Sequence, residues 1–73
     1  MIIYPNPAWE FSQIYIKPEK IPVTVVIYNE LGQKVLIRHP LDNSFNTIGL
    51  EPGVYTVELI FELNRVLRRL VII

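Results

Sequence analysis

Val23-Thr24-Val25-Val26-Ile27-Tyr28, then Asn29-Glu30-Leu31-Gly32, then Gln33-Lys34-Val35-Leu36-Ile37-Arg38, reads as one antiparallel hairpin. The first run is the strongest strand signal in the chain. Val23, Val25 and Ile27 alternate to one side, and Thr24, Val26 and Tyr28 to the other. Both sides are largely apolar, which predicts a central strand rather than a margin. Asn29-Glu30-Leu31-Gly32 is a tight reversal, with Gly32 supplying the positive φ that such a turn demands at its end.

Outward from this hairpin, short apolar runs are cut by Pro, Gly and Asn, and no helical period appears. Met1 to Tyr4 reads as a first strand, stopped by Pro5 and Pro7, which cannot join a regular ladder. Asn6 between them is expected to bond nearby backbone. Phe11 to Ile16 is the second strand, ended by Lys17-Pro18-Glu19-Lys20. After the hairpin comes the polar loop His39 to Ser44, then a short strand from Phe45 to Ile48. Pro52-Gly53 has the chemistry of a type II turn. Gly53 to Phe61 is the sixth strand, with Tyr55, Val57, Leu59 and Phe61 toward the core and Thr56 and Glu58 toward water. Glu62-Leu63-Asn64-Arg65 turns the chain into a seventh strand, Val66 to Ile73. The expectation is an all-β fold, a compact seven-stranded sandwich of antiparallel sheets forming one domain over residues 1–73.

Seventy-three residues, 51% of them hydrophobic, suffice for one core. A chain this short buries only about 60% of its unfolded surface, and such cores rarely supply more than about 3–5 kcal/mol. With no cysteine there are no disulfides, thiolate metal sites or thiol nucleophiles. Seven basic residues balance seven acidic ones, so no positive field draws in nucleic acid. The apolar runs fall far short of the roughly 20 residues that span a bilayer, and Met1-Ile2-Ile3 is too short for a signal-peptide core.

Reaction chemistry is not legible. His39, Asp42 and Ser44 are the residue types of a hydrolase triad, but one six-residue loop cannot set up the relay and oxyanion hole. Glu58 and Glu62 lie ~13 Å apart along a strand, beyond the spacing of a glycosidase pair, and read as surface charges. A single histidine makes no transition-metal site, Asp42-Asn43 is thin for a hard cation, and the three glycines stand too far apart to cradle phosphate. No cofactor is expected. Tyr4, Trp9, Phe11 and Tyr15 are candidates for a surface that stacks on sugars, against the plainer reading that aromatics in small β domains serve as core or edge cover. Arg68 and Arg69, adjacent in a strand, must face opposite ways, serving either as edge protection or as a contact for a receptor.

Four blocks in fixed order carry a resemblance: Tyr4-Pro5-Asn6-Pro7; Val26-Ile27-Tyr28-Asn29-Glu30-Leu31-Gly32-Gln33-Lys34-Val35; Leu50-Glu51-Pro52-Gly53-Val54-Tyr55-Thr56-Val57; and Arg68-Arg69-Leu70-Val71-Ile72. Over essentially its whole length the chain resembles the C-terminal sorting domain (type A) of the type IX (Por) secretion system. The resemblance implies an immunoglobulin-like sandwich and a non-enzymatic transport address on a larger cargo protein. It further implies passage through the periplasm to the outer membrane and cell surface. The partners implied are an outer-membrane translocon and a surface sortase-like peptidase that removes the domain. By position, Pro5, Asn6 and Pro7 match the opening motif, Gly32 the hairpin motif, and Pro52, Gly53 and Tyr55 the late motif. Arg68 and Arg69 stand where the family often has lysines. The family commonly has Asp at the position of Asn29 and Arg at that of Gln33, and many members end on a basic residue where this chain has Ile73. The alternative class is an immunoglobulin-like accessory module that binds carbohydrate or protein through its aromatic surface.

Overall fold

A computed structural model describes all residues, 1–73. Seven strands form: β1 (Ile2–Tyr4), β2 (Gln13–Lys17), β3 (Thr24–Tyr28), β4 (Lys34–Arg38), β5 (Ser44–Asn46), β6 (Gly53–Ile60) and β7 (Arg65–Ile72). They make two antiparallel sheets, β1-β2-β5 and β4-β3-β6-β7. The arrangement is an immunoglobulin-like sandwich in which the fourth strand pairs with the third, giving a three-plus-four division. In constant-type domains that strand completes the other sheet.

The apolar hairpin strand β3 is internal, between β4 and β6, as its two apolar sides require. Val25 and Ile27 are fully buried and Val26 nearly so, whereas Val23 precedes the strand and is 61% exposed. The core is built from the alternate residues that face the opposite sheet: Ile14 and Ile16 of β2, Val25 and Ile27 of β3, Val57 and Leu59 of β6, Leu70 and Ile72 of β7. Tyr55 and Phe61 pack against its margin. Full burial of each large side chain contributes ~1.5–3 kcal/mol relative to exposure.

Three sequence expectations change. Phe11 is not in a strand; β2 starts at Gln13, because the chain first closes a turn in which Ser12 N–H donates to the Trp9 carbonyl at 3.2 Å. The type II-like turn is not at Pro52-Gly53. It is closed by Leu50 N–H donating to the Thr47 carbonyl at 3.0 Å, with Gly49 at φ +97° in the third position. Gly53 instead opens β6, opposite Ile72.

Glu58 is the third. It lies on the outer face as expected, but it is buried, with its side chain only 7% exposed. The register sets Val26 and Leu67 on either side of it, and two polar heads close over the carboxylate. The Tyr28 hydroxyl donates to Oε1 at 2.9 Å and Arg65 Nη1 to Oε2 at 2.7 Å. The Tyr28 hydrogen bond, then that of Arg65, holds the Glu58 carboxyl below its ordinary 4.5. The same bond to Glu58 is the chief reason the Tyr28 hydroxyl is raised above 10.0. A depressed carboxylate stabilises the fold above about pH 4.5 and loses that contribution as pH falls through the lowered value. A raised phenol stabilises below about pH 10 and loses its share as pH rises further. Melting temperature should therefore fall less between pH 5 and pH 3 in Glu58→Gln than in the native chain. Parallel curves would contradict this.

Candidate recognition surface

β7 is a marginal strand, yet its outer edge is not bare. Asn6 reaches it from the other end of the sequence: Nδ2 donates to the Arg69 carbonyl at 2.6 Å, and Oδ1 accepts from Val71 N–H at 3.0 Å. The side-chain amide thus imitates a peptide group and pairs with β7 as a strand would. Two residues on, Ala8 N–H donates to the Val71 carbonyl and Ile73 N–H to the Ala8 carbonyl, both at 2.8 Å, forming a parallel bridge opposite Ile72. Sequence reading expected Asn6 to bond locally. Its flanking prolines offer no N–H, and β7 supplies the missing donor 65 residues away.

The net cost of losing two such bonds is about 1–3 kcal/mol. Asn6→Ala should lower stability by that amount. Asn6→Asp should do no better despite its shape, because a carboxylate cannot donate to the Arg69 carbonyl. Urea denaturation of the three proteins checks this, and equal midpoints would count against the clasp.

The late motif holds the inner edge of the same segment. Gly53, Val54 and Tyr55 pair with Ile72, Val71 and Leu70. The Tyr55 hydroxyl donates back to the Glu51 carbonyl across the corner that carries Pro52, the tyrosine-corner arrangement of immunoglobulin-like sandwiches. Burial, then the Glu51 and Glu10 carboxylates, raises the Tyr55 hydroxyl above 10.0. A Cβ at Gly53 would meet the Tyr55 ring at 3.6 Å, an ordinary contact.

Gly32 sits in the β3–β4 turn at φ +78°, as its sequence context requires. Gly32 N–H donates to the Asn29 carbonyl at 3.0 Å, and Asn29 Oδ1 accepts from Leu31 and Gln33 N–H. Asn29 Nδ2 donates to Gln33 Oε1 at 2.8 Å. The two ends of the turn are thus joined by a neutral side-chain hydrogen bond. The turn and the Pro52–Tyr55 corner line one shallow depression. An open groove of about 610 Å³ continues from the turn across Val54 and Thr56 to β7.

Arg68 and Arg69 are divided by the pleat. Arg68 stands opposite the buried Val57, so it shares the core-facing side of β7 and is half-buried. Its Nε donates to the Met1 carbonyl and its Nη1 to the Leu67 carbonyl, both at 2.7 Å. Arg69 stands opposite Thr56 on the outer face, exposed at the groove, and its guanidinium has no hydrogen-bond or ionic partner.

Elsewhere, Asp42 and Ser44 form a local turn, Oδ1 accepting from the Ser44 N–H and hydroxyl at 2.9 and 2.6 Å, with His39 not joined to either. Of the four N-terminal aromatics, only Tyr4 and Tyr15 form a ring pair, with centroids 5.7 Å apart. Trp9 and Phe11 stand on the turn before β2.

Opening motif, hairpin glycine, late motif and Arg69 therefore gather at one end of the sandwich, around the last residues of β7. No sequence signal gave Asn6 its long-range partners; Pro-Asn-Pro marked only a break. No curated protein matches the chain. The family model described as the secretion system C-terminal sorting domain matches residues 2–73, and the chain belongs to that family.

Proposed function

We propose that residues 1–73 are a single, non-enzymatic sorting domain that directs a cargo protein through the type IX secretion system to the cell surface, where the domain is removed. The reading is supported by the family membership and, above all, by the meeting of the family-like motifs at one strand end. Residues far apart in sequence are drawn together there, as a folded epitope requires. Pro5, Asn6, Pro7, Pro52, Gly53, Tyr55 and Arg68 shape this end, and Gly32 sets the neighbouring turn. Arg69 offers it a free positive charge. The outer-membrane translocon reads this end, and the surface sortase-like peptidase acts on the chain before it.

A reporter carrying the chain at its C-terminus, expressed in a host with this export system, should reach the cell surface. Retention inside would refute the proposal. Arg69→Gln should reduce delivery without lowering the melting temperature. Arg68→Gln should lower the melting temperature, because it releases the Met1 and Leu67 carbonyls. If Arg69→Gln is delivered normally, Arg69 is not part of what is read.

A further inference from the structure

Trp9 and Phe11 are 68% and 72% exposed, at a turn the fold has gone to some trouble to fix. Ser12 Oγ accepts from Trp9 N–H at 2.9 Å. Thr47, fully buried, donates its N–H to the Ser12 carbonyl at 2.9 Å and its hydroxyl to the same oxygen at 3.2 Å. On the other side Ala8, fully buried, is bridged to β7. The base of the turn is hydrogen-bonded on both sides, and its tip carries two large aromatic side chains into water.

Phe11 also sits at φ +64°, a left-handed conformation that costs a residue with a side chain roughly 1–2 kcal/mol. Burial of its ring does not offset that cost, and glycine would occupy the position without it. A single exposed apolar residue needs no explanation. Two aromatics within three residues, one of them strained, on a base held from both sides, are not what packing selects. Strain maintained by its surroundings is a signature of function, and tryptophan is among the residues most enriched at interface hot spots.

We propose that the Trp9–Phe11 tip is a protein-binding anchor that enters an apolar pocket, rimmed by positive charge to meet Glu10, on a component of the export apparatus. The inference rests on the sorting reading and adds a second contact to the Arg69 end. The charge on the tip sets the charge of the partner: its only ionisable side chain is Glu10, which anionic lipid headgroups repel and a basic rim attracts. The bridge from Ala8 to Ile72 ties the tip to β7, so a docked C-terminal strand presents it.

Phe11→Gly removes the ring and the strain together. Its melting temperature should equal or exceed that of the native chain, while reporter delivery falls at least about tenfold, as loss of a hot-spot residue implies. Trp9→Ala and Glu10→Lys should also reduce delivery with the fold intact. Native-like delivery of Phe11→Gly and Trp9→Ala overturns the anchor while leaving the sorting reading standing. Failure of the native fusion overturns both. Trp9 is the only tryptophan, so its emission reports the tip directly. A saturable shift on adding phosphatidylcholine vesicles or maltohexaose would overturn the protein partner in favour of lipid or sugar.

Discussion

Deleting Val66–Ile73 leaves the remaining chain unfolded and its reporter undelivered. β7 pairs with β6 along its whole length and brings the fully buried Leu70 and the 2%-exposed Ile72 into the core. At ~1.5–3 kcal/mol each, those two side chains alone match the roughly 3–5 kcal/mol available to a domain of this size. The deletion also strands Asn6 and Ala8, whose hydrogen-bond partners at Arg69, Val71 and Ile73 disappear, and bares the edge of β6 to other chains. Circular dichroism should show loss of the β signal. A truncated domain that keeps its spectrum, or a truncated fusion delivered like the intact one, would overturn the view that β7 completes both fold and signal.

Leu70→Ala should cost about 2–5 kcal/mol, a large share of the roughly 3–5 kcal/mol available, whereas Leu67→Ala, at a half-exposed position, should cost no more than about 1 kcal/mol. The two leucines are three residues apart in one strand and differ in side. Leu70 is fully buried opposite Tyr55; Leu67 is 54% exposed beside the groove. Thermal melts of the pair separate burial from composition. Similar losses in both would mean that the pleat of β7 has been assigned the wrong way round. Delivery of Leu67→Ala, compared at a temperature where its melt shows it folded, then reads the groove itself.

The strands were legible because alternation is a local property. Val23 to Tyr28 announces a two-sided strand, and the hairpin at Gly32 follows from the φ it must adopt. Failures came where partners are distant or where a turn outranks propensity. Phe11 has the chemistry of a strand residue, but the Trp9–Ser12 turn claims it. Pro52-Gly53 has the chemistry of a type II turn, but pairing with Ile72 extends Gly53 into β6, and the turn forms at Gly49. Glu58 reads as a surface charge until Tyr28 and Arg65 close over it. The candidate surface was visible as separate motifs, without any indication that they meet.

By itself, then, the sequence determined the all-β class, seven strands and their approximate limits, the internal place of β3 and the turn at Gly32. Alternation and turn chemistry act over a few neighbouring residues, so they are written where they operate. Only the tertiary structure decided that the β3–β4 hairpin shares a sheet with β6 and β7, that Asn6 clasps β7, that Arg68 is held by backbone carbonyls while Arg69 is free, and that Trp9 and Phe11 stand in water on a braced turn. Those outcomes depend on which strands pair and which edges need partners, a matter of contacts between distant residues, more than sixty positions apart for Asn6 and for Arg68 with Met1, that no local pattern encodes.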